Sequence, residues 1–241
     1  SIPTRLNHPI DCARKMNKLF STISALAVAS VTALYAPASG AQEVKGDPVA
    51  GQKKIAMCIG CHGIVGYQAS FPEIHKVPKI SGQGAKYIVA ALNEYKTAAR
   101  KHPTMRAIAE SLSEQDMADV AAYYEAHARE QAGAAPASKP APAPNARVAE
   151  LITKGNCISC HGDGFSKPID PAYPKIAGQH ADYLYSALKS YKTENQQYVG
   201  RSNGVMAGVA KQFSNAELKA LANYIGSIEG DLKVVPESRF R

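Results

Sequence analysis

Residues 58–62 read Cys-Ile-Gly-Cys-His, and residues 157–161 repeat the pattern as Cys-Ile-Ser-Cys-His. Two cysteines with two residues between them, followed at once by a histidine, form the attachment signature of a c-type haem. One such match of five residues arises readily by chance, whereas two matches in one chain predict two covalently bound haem c groups. The predicted attachment residues are Cys58, Cys61, Cys157 and Cys160, and the predicted proximal iron ligands are His62 and His161.

Cysteine use supports this interpretation, because the chain holds 5 cysteines and the two motifs account for all but Cys12. Two alternatives compete with haem attachment. A disulfide framework is common in exported proteins, but it gives no reason for a histidine after each pair. A structural zinc site needs further ligands at fixed spacing in each half. The other first-half histidines have no counterparts at matching positions in the second half; they are His75, His102 and His127.

The formal net charge of +8 does not indicate a nucleic-acid partner. Lysines are scattered along the chain and interleaved with acidic residues, whereas a nucleic-acid-binding surface concentrates its positive charge. Part of the charge also belongs to the amino-terminal segment, which has the features of an export signal.

That segment begins with a positively charged start at residues 16–18, followed by an uncharged apolar run at 19–35 and small residues at 36–41. We therefore expect a signal peptide over residues 16–41, cleaved after Ala41 or, as the second choice, after Ala38, and export to the periplasm. Residues 1–15 would then lie upstream of the natural start at Met16, as a non-native or read-through segment. The alternative interpretation is an uncleaved membrane anchor.

The two halves share a second pattern, Pro-Lys-Ile-x-Gly-Gln, at residues 78–83 and 174–179. Its offset of 96 residues, against 99 for the haem motif, indicates two copies of one domain with loops of different length. Between the copies, residues 135–144 are mostly Ala and Pro, a composition typical of an extended spacer. The predicted organisation is an N-terminal domain at 42–130, a linker at 131–145 and a C-terminal domain at 146–241.

Apolar periodicity predicts an all-α fold with two tandem cytochrome c-type domains, each of about three main helices wrapped around a covalent haem. The first helix begins after Asp47 as N-cap, with Pro48 as its first residue. The third helix begins at Ser113 in one copy and at Ser214 in the other, where Glu217 completes a capping box. Strand signals are nearly absent.

The second axial ligand decides whether each iron is closed or open to a substrate. The second half holds one methionine, Met206, which lies 45 residues after His161. Met105 lies 43 residues after His62 and aligns with Met206 at an offset of 101. Both are predicted as iron ligands in the loop before the last helix. The ordinary alternative for any one methionine is a core filler, which is the role predicted for Met117.

His102 is the rival ligand for the first haem, but residues 199–205 hold no histidine to match it. We therefore predict a surface role for His102. A backbone carbonyl at Pro78 and at Pro174 is predicted to accept the second ring N–H of the proximal histidine. Six further residues are candidates for a propionate contact, with ordinary packing as an equal alternative for the tyrosines: Tyr87, Tyr95, Tyr183, Tyr191, Gln83 and Gln179.

The paired haem motifs, the paired Pro-Lys-Ile-x-Gly-Gln patterns, and Met105 with Met206 together resemble the dihaem cytochrome c4 family over residues 46–230. The resemblance implies a periplasmic, often membrane-associated protein with two domains and a His/Met-ligated haem in each. It also implies that electrons pass toward terminal oxidases.

The leading hypothesis is therefore a periplasmic dihaem electron carrier rather than an enzyme. Its donor would be a quinol-oxidising complex or a dehydrogenase, and its acceptor a terminal oxidase. The alternative is the dihaem electron-transfer subunit of a larger oxidoreductase, of the flavocytochrome sulfide dehydrogenase or alcohol dehydrogenase type. A dihaem peroxidase needs an accessible iron and is disfavoured, because Met105 and Met206 would close both sites.

Overall fold

The structure of the protein is a computed structural model that describes residues 44–132 and 142–236. The predicted upstream segment, the predicted signal peptide and most of the predicted linker lie outside the described residues, and the domain boundaries stay predictions. Within the described ranges, no helix has the length and apolar character needed to cross a membrane.

The first half begins with the predicted N-cap. The Asp47 side chain accepts a hydrogen bond from the Val49 N–H, and Pro48 occupies the first helical position, where its missing N–H costs nothing. At the start of the last helix, the Ser113 hydroxyl accepts a hydrogen bond from the Asp116 N–H at 3.1 Å. The elements are α1 (Pro48–Gln52), α2 (Ala56–His62), β1 (Gln68–Ala69), β2 (His75–Lys76), α3 (Ala85–Lys96), β3 (Arg100–Lys101), α4 (Pro103–Glu110) and α5 (Glu114–Ala132).

The second half repeats the order of the helices and the single strand before the fourth helix, but it has a 3-10 helix after the haem motif where the first half has β1 and β2. Its elements are α6 (Ala146–Gly155), α7 (Ile158–His161), the 3-10 helix (Asp163–Phe165), α8 (Ala181–Ser190), β4 (Gly200–Arg201), α9 (Gly204–Ala210) and α10 (Asn215–Ser227). Asn156 ends α6 in the left-handed conformation, with φ 48°, and so redirects the chain into Cys157. Ser214 and Glu217 form the predicted capping box at the start of α10.

Each half has its own apolar core, and the helices pair in the same way in both halves. α1 packs against α5, and α6 packs against α10. α1 and α5 approach closely at Gly51, where an added Cβ would lie 2.1 Å from the Asp119 carbonyl oxygen. The all-α fold with three main helices per domain is confirmed. The predicted first helix of each domain is, however, divided into two helices, which are α1 and α2 in the first half and α6 and α7 in the second half.

The two halves contact each other through short extended segments. β1 and β2 pair within the first half, whereas β3 pairs antiparallel with β4 of the second half, with Arg100 opposite Arg201. β2 also packs against α8, where the Lys76 N–H donates to the Asp182 carboxylate at 3.0 Å. Each strand is two residues long, which is too short to leave an alternating pattern in the sequence.

Candidate haem-binding sites

Each haem motif ends a short helix, with its histidine as the last helical residue. α2 ends at His62 and α7 ends at His161. Ile59, between the two cysteines of the first motif, is buried. Cys58 packs against the core of the first half, and Cys157 packs against the core of the second half. All four motif cysteines are free, so each pair is available for two thioether bonds.

Burial favours the neutral form of the first cysteine and of the histidine in each motif. It raises the pKa of the Cys58 thiol to about 11 and also raises the pKa of Cys157. The same cause lowers the pKa of His62 and of His161. Since a neutral imidazole is the form that binds a metal, both histidines are in their ligating form near neutral pH.

A backbone carbonyl orients the histidine of each haem motif. His62 Nδ1 lies 2.8 Å from the Pro78 carbonyl oxygen, and His161 Nδ1 lies 2.9 Å from the Pro174 carbonyl oxygen. Because a carbonyl oxygen only accepts, Nδ1 carries the proton in each ring and Nε2 is left with the free lone pair that a metal ligand needs. The predicted carbonyl partners are confirmed.

The predicted loop position of Met105 and Met206 is wrong, because both methionines lie in short helices, α4 and α9. An N-cap three residues earlier begins each helix. The Met105 N–H donates to His102 Nδ1 at 3.3 Å, and the Met206 N–H donates to Asn203 Oδ1 at 3.0 Å. His102, predicted as a surface residue, is half-buried. Because His102 and Asn203 are the N-caps of α4 and α9, Asn203 is the structural counterpart of His102 in the second half.

Burial in the core of the first half distinguishes Met105, the candidate ligand, from Met117, the predicted core filler. Met105 and Cys58 are partly buried and pack against one cluster, formed mainly by α3 and α5. Met117 is only 1% exposed in that cluster, which confirms it as a core filler. In the second half, Val209 of α9 and Cys157 pack against one cluster, and Met206 lies on α9, half-buried.

Two arginines, which the sequence analysis missed, lie among the four predicted tyrosines. Arg100 Nη1 donates to the Tyr87 hydroxyl at 3.2 Å, and Arg201 Nη2 donates to the Tyr183 hydroxyl at 3.1 Å. Each guanidinium carbon also lies 5.3 to 5.7 Å from the centroids of two tyrosine rings. Because β3 pairs with β4, positive charges from both halves lie close together. This arginine–tyrosine cluster comprises Arg100, Tyr87, Tyr95, Arg201, Tyr183 and Tyr191.

The arginine–tyrosine cluster has capacity for a further anion. Glu94 Oε2 lies 2.8 Å from Arg100 Nη2, but Arg100 is 4% exposed and its Nε has no hydrogen-bond partner among the described residues. A buried polar group without a partner is costly, so a carboxylate here would stabilise the cluster. Haem carries two propionate carboxylates. Paired free thiols, a neutral motif histidine and a buried or half-buried guanidinium group therefore all fit a c-type haem in each half.

Comparison with known proteins agrees with these two sites. The family model for cytochrome c matches residues 48–126 and 145–229, one match in each half. The chain is 31% identical over 205 residues to cytochrome c4 of Stutzerimonas stutzeri, a match that covers 78% of this chain and 91% of that protein. The chain belongs to the dihaem cytochrome c4 family. As a cytochrome c4 it binds two covalent haem c groups, and the cysteine pairs at 58/61 and 157/160 fit the attachment motif.

Solved structures of cytochrome c4 share the fold. The crystal structure of reduced recombinant cytochrome c4 from Pseudomonas stutzeri superposes with a TM-score of 0.55 at 28% identity, covering 76% of this chain and 100% of that chain. A further relative is the thiosulfate dehydrogenase electron acceptor of Stutzerimonas stutzeri strain A1501. It is 29% identical over 180 residues, which cover 71% of this chain and 78% of that protein. This cytochrome c4 is accordingly a dihaem electron-transfer protein.

Proposed function

We propose that this cytochrome c4 is an exported electron carrier of the periplasm, with both irons closed by protein ligands. A closed iron has no coordination position left for a substrate, so the proposal assigns electron exchange rather than peroxide chemistry to both haems. The proposed attachment residues are Cys58, Cys61, Cys157 and Cys160, and the proposed axial pairs are His62 with Met105 and His161 with Met206.

The observation that carries this proposal is the matched setting of the two methionines. Each is the third residue of a short helix, five residues after an arginine of the arginine–tyrosine cluster. Each also has its N–H held by the side chain of the N-cap. A core filler such as Met117 has no such counterpart in the other half. Repetition of both position and local geometry supports a shared role as iron ligands.

The surrounding residues hold each site in one protonation state and one orientation. When bound, haem with His/Met ligation supplies a one-electron iron couple of raised potential. The carbonyls of Pro78 and Pro174 keep the Nδ1 proton in place and fix the planes of the proximal rings. Arg100 and Arg201 offer positive charge to carboxylates of the haem, and a fixed positive charge near the iron favours the ferrous state.

Separate holoproteins carrying Met105→Ala or Met206→Ala test the ligand assignment. In each variant we expect one haem to become high-spin in the ferric state and its reduction potential to fall, while the other haem keeps both properties. Met117→Ala is the matched control, because it removes a methionine from the core of the first half and should keep both haems low-spin. Unchanged spectra and potentials in Met105→Ala and Met206→Ala would refute the assignment.

The proposed redox partners are a quinol-oxidising complex or dehydrogenase as donor and a terminal oxidase as acceptor. A second candidate rests on the relative named as the electron acceptor of thiosulfate dehydrogenase. In that case the chain accepts electrons as the partner or subunit of a larger oxidoreductase. A stable dehydrogenase that co-purifies with the native protein would favour the second candidate. Rapid reoxidation of the isolated chain by membranes containing terminal oxidase would favour the first.

Export is tested by the mature amino terminus. The signal-peptide proposal predicts a periplasmic protein that begins at Gln42, after cleavage at Ala41. Amino-terminal sequencing of the purified holoprotein measures this directly. A protein that keeps the apolar run at residues 19–35 and sediments with membranes would instead support the uncleaved anchor.

A further inference from the structure

The two Pro-Lys-Ile-x-Gly-Gln patterns bind each other across the contact between the halves. The Lys79 N–H donates to Gln179 Oε1, and Gln179 Nε2 donates to the Lys79 carbonyl oxygen, both at 2.9 Å. In the mirror arrangement, the Lys175 N–H donates to Gln83 Oε1 at 3.0 Å, and Gln83 Nε2 donates to the Lys175 carbonyl oxygen at 2.9 Å. We call these four hydrogen bonds the crossed clasp. Gln83 and Gln179 thus bind the backbone of the opposite half.

Both glutamine side chains are fixed in this orientation before any partner binds. Gln83 is 4% exposed and Gln179 is 5% exposed. Each Oε1 also accepts the N–H of the next residue in its own half, from Gly84 at 3.1 Å and from His180 at 3.0 Å. Two N–H donors on each Oε1 and a carbonyl acceptor for each Nε2 settle which end of the amide is oxygen.

The crossed clasp is connected to the proximal histidines through single peptide groups. The Pro78 carbonyl and the Lys79 N–H are the two ends of one peptide group. The carbonyl accepts from His62 Nδ1 at 2.8 Å, while the N–H donates to Gln179 of the other half. The peptide group between Pro174 and Lys175 links His161 Nδ1 to Gln83 in the same way.

Hydrogen bonds in such a chain polarise one another. When the N–H of a peptide group donates, negative charge increases on the carbonyl oxygen of the same group, which then accepts more strongly. A stronger hydrogen bond at Nδ1 makes the imidazole a more basic ligand, and a more basic ligand stabilises ferric over ferrous iron. Each glutamine is therefore placed to lower the reduction potential of a haem that is attached to the opposite half.

We propose that Gln179 tunes the haem of the first half through His62, and that Gln83 tunes the haem of the second half through His161. Both are positioning residues that act through a peptide group, and the inference rests on the proposed role of the two histidines as iron ligands. The tuning depends on contact between the halves.

The test uses full-length dihaem protein carrying Gln179→Met or Gln83→Met, which keep the side-chain volume and remove the amide. The first measurement is the NMR signal of each proximal Nδ1–H in the reduced, diamagnetic protein with isotope-labelled histidine. The second is a redox titration in which haem methyl signals report each haem separately. For Gln179→Met we expect an upfield shift of the His62 Nδ1–H signal and a raised potential of the first haem. The effects on the second half should be smaller.

Gln83→Met should give the mirror result at His161, and two further variants separate tuning from simple loosening of the contact. Gln179→Glu keeps the oxygen acceptor, so the His62 Nδ1–H signal should stay at its original position or move downfield. Glu73→Gln weakens the ion pair between Glu73 Oε2 and Lys189 Nζ of the other half, which are 2.6 Å apart. This pair includes neither the Pro78–Lys79 nor the Pro174–Lys175 peptide group. The variant should leave both Nδ1–H signals in place.

The inference would be overturned by a shift confined to the haem in the same half as the substituted glutamine, by equal shifts of both haems, or by unmoved Nδ1–H signals. Water entering a loosened contact would lower the potential, because water stabilises the more highly charged ferric state. A lowered potential in Gln179→Met therefore also contradicts the proposal. Methionine ligation is read independently from the methionine methyl signals of the unmodified protein. Failure of the proposed ligand set is thus distinguishable from failure of the tuning.

Discussion

Gly82→Ala is the substitution that should damage the contact between the halves most directly. Gly82 precedes the clasp residue Gln83 and has φ +90°, a left-handed conformation that glycine adopts without steric cost. An added Cβ would lie 2.5 Å from the Asp231 carbonyl oxygen and 3.1 Å from the Ala128 Cβ. The first of these separations is shorter than van der Waals contact allows, so the chain must move.

The cost has two parts. A strained left-handed backbone at a non-glycine residue costs about 1–3 kcal/mol. Moving Gly82 away from Asp231 also disturbs the hydrogen bond from Lys175 Nζ to the Gly82 carbonyl oxygen, 3.0 Å, and bonds of this charged type contribute ~1.5–3 kcal/mol. We expect the free energy of unfolding to fall by about 3 kcal/mol, a large part of the ~5–15 kcal/mol typical of a domain.

Urea unfolding of the dihaem protein, followed by circular dichroism in the haem Soret band, measures this loss. Gly178→Ala is the matched control in the second half. Its φ is +69°, but the nearest atom to an added Cβ, the Ile228 carbonyl oxygen, is 3.0 Å away, so its loss should be smaller. A loss below ~1 kcal/mol for Gly82→Ala, or a larger loss for Gly178→Ala, would refute the reasoning.

Two further predictions concern the haem sites themselves. Cys157→Ala combined with Cys160→Ala should halve the covalently bound haem per chain in a pyridine haemochrome assay, and full haem content would contradict attachment at that pair. Arg201→Leu removes a positive charge that favours ferrous iron, so spectroelectrochemistry should show a lowered reduction potential for at least one haem. Arg201→Lys keeps the charge, so its reduction potentials should stay close to those of the unmodified protein. Equal potentials in Arg201→Leu and the unmodified protein would argue against a carboxylate contact at this guanidinium.

Local patterns in the sequence predicted much of the fold and of the candidate sites. The capping box at Ser214 and the N-cap at Asp47 are short-range signals, and both are present in the structure. The helix that contains Met206 has Asn203 as its N-cap. Because asparagine is a preferred N-cap residue, this helix could have been predicted from the sequence. The helix around Met105 was harder to predict, because histidine is not a usual N-cap and His102 also resembled a ligand.

Contacts between the halves depend on residues far apart in the sequence, and no local pattern indicates them. Gln83 and Lys175 are 92 residues apart, and periodicity within either segment gives no information about the other. Arg100 and Arg201 did leave a signal, since they align at the same offset of 101 as the two methionines. Their function depends on the pairing of β3 with β4, which is a property of the folded chain.

The proposed ligand set closes both irons of this protein with a histidine and a methionine. Spectroelectrochemical titration of the mature dihaem protein tests it most directly, because one experiment gives the haem count, the spin states and both potentials. We predict two one-electron transitions at potentials typical of His/Met ligation, with both haems low-spin when ferric. A high-spin ferric haem, or one that binds added peroxide or cyanide rapidly, would contradict the claim and favour an open, enzymatic site.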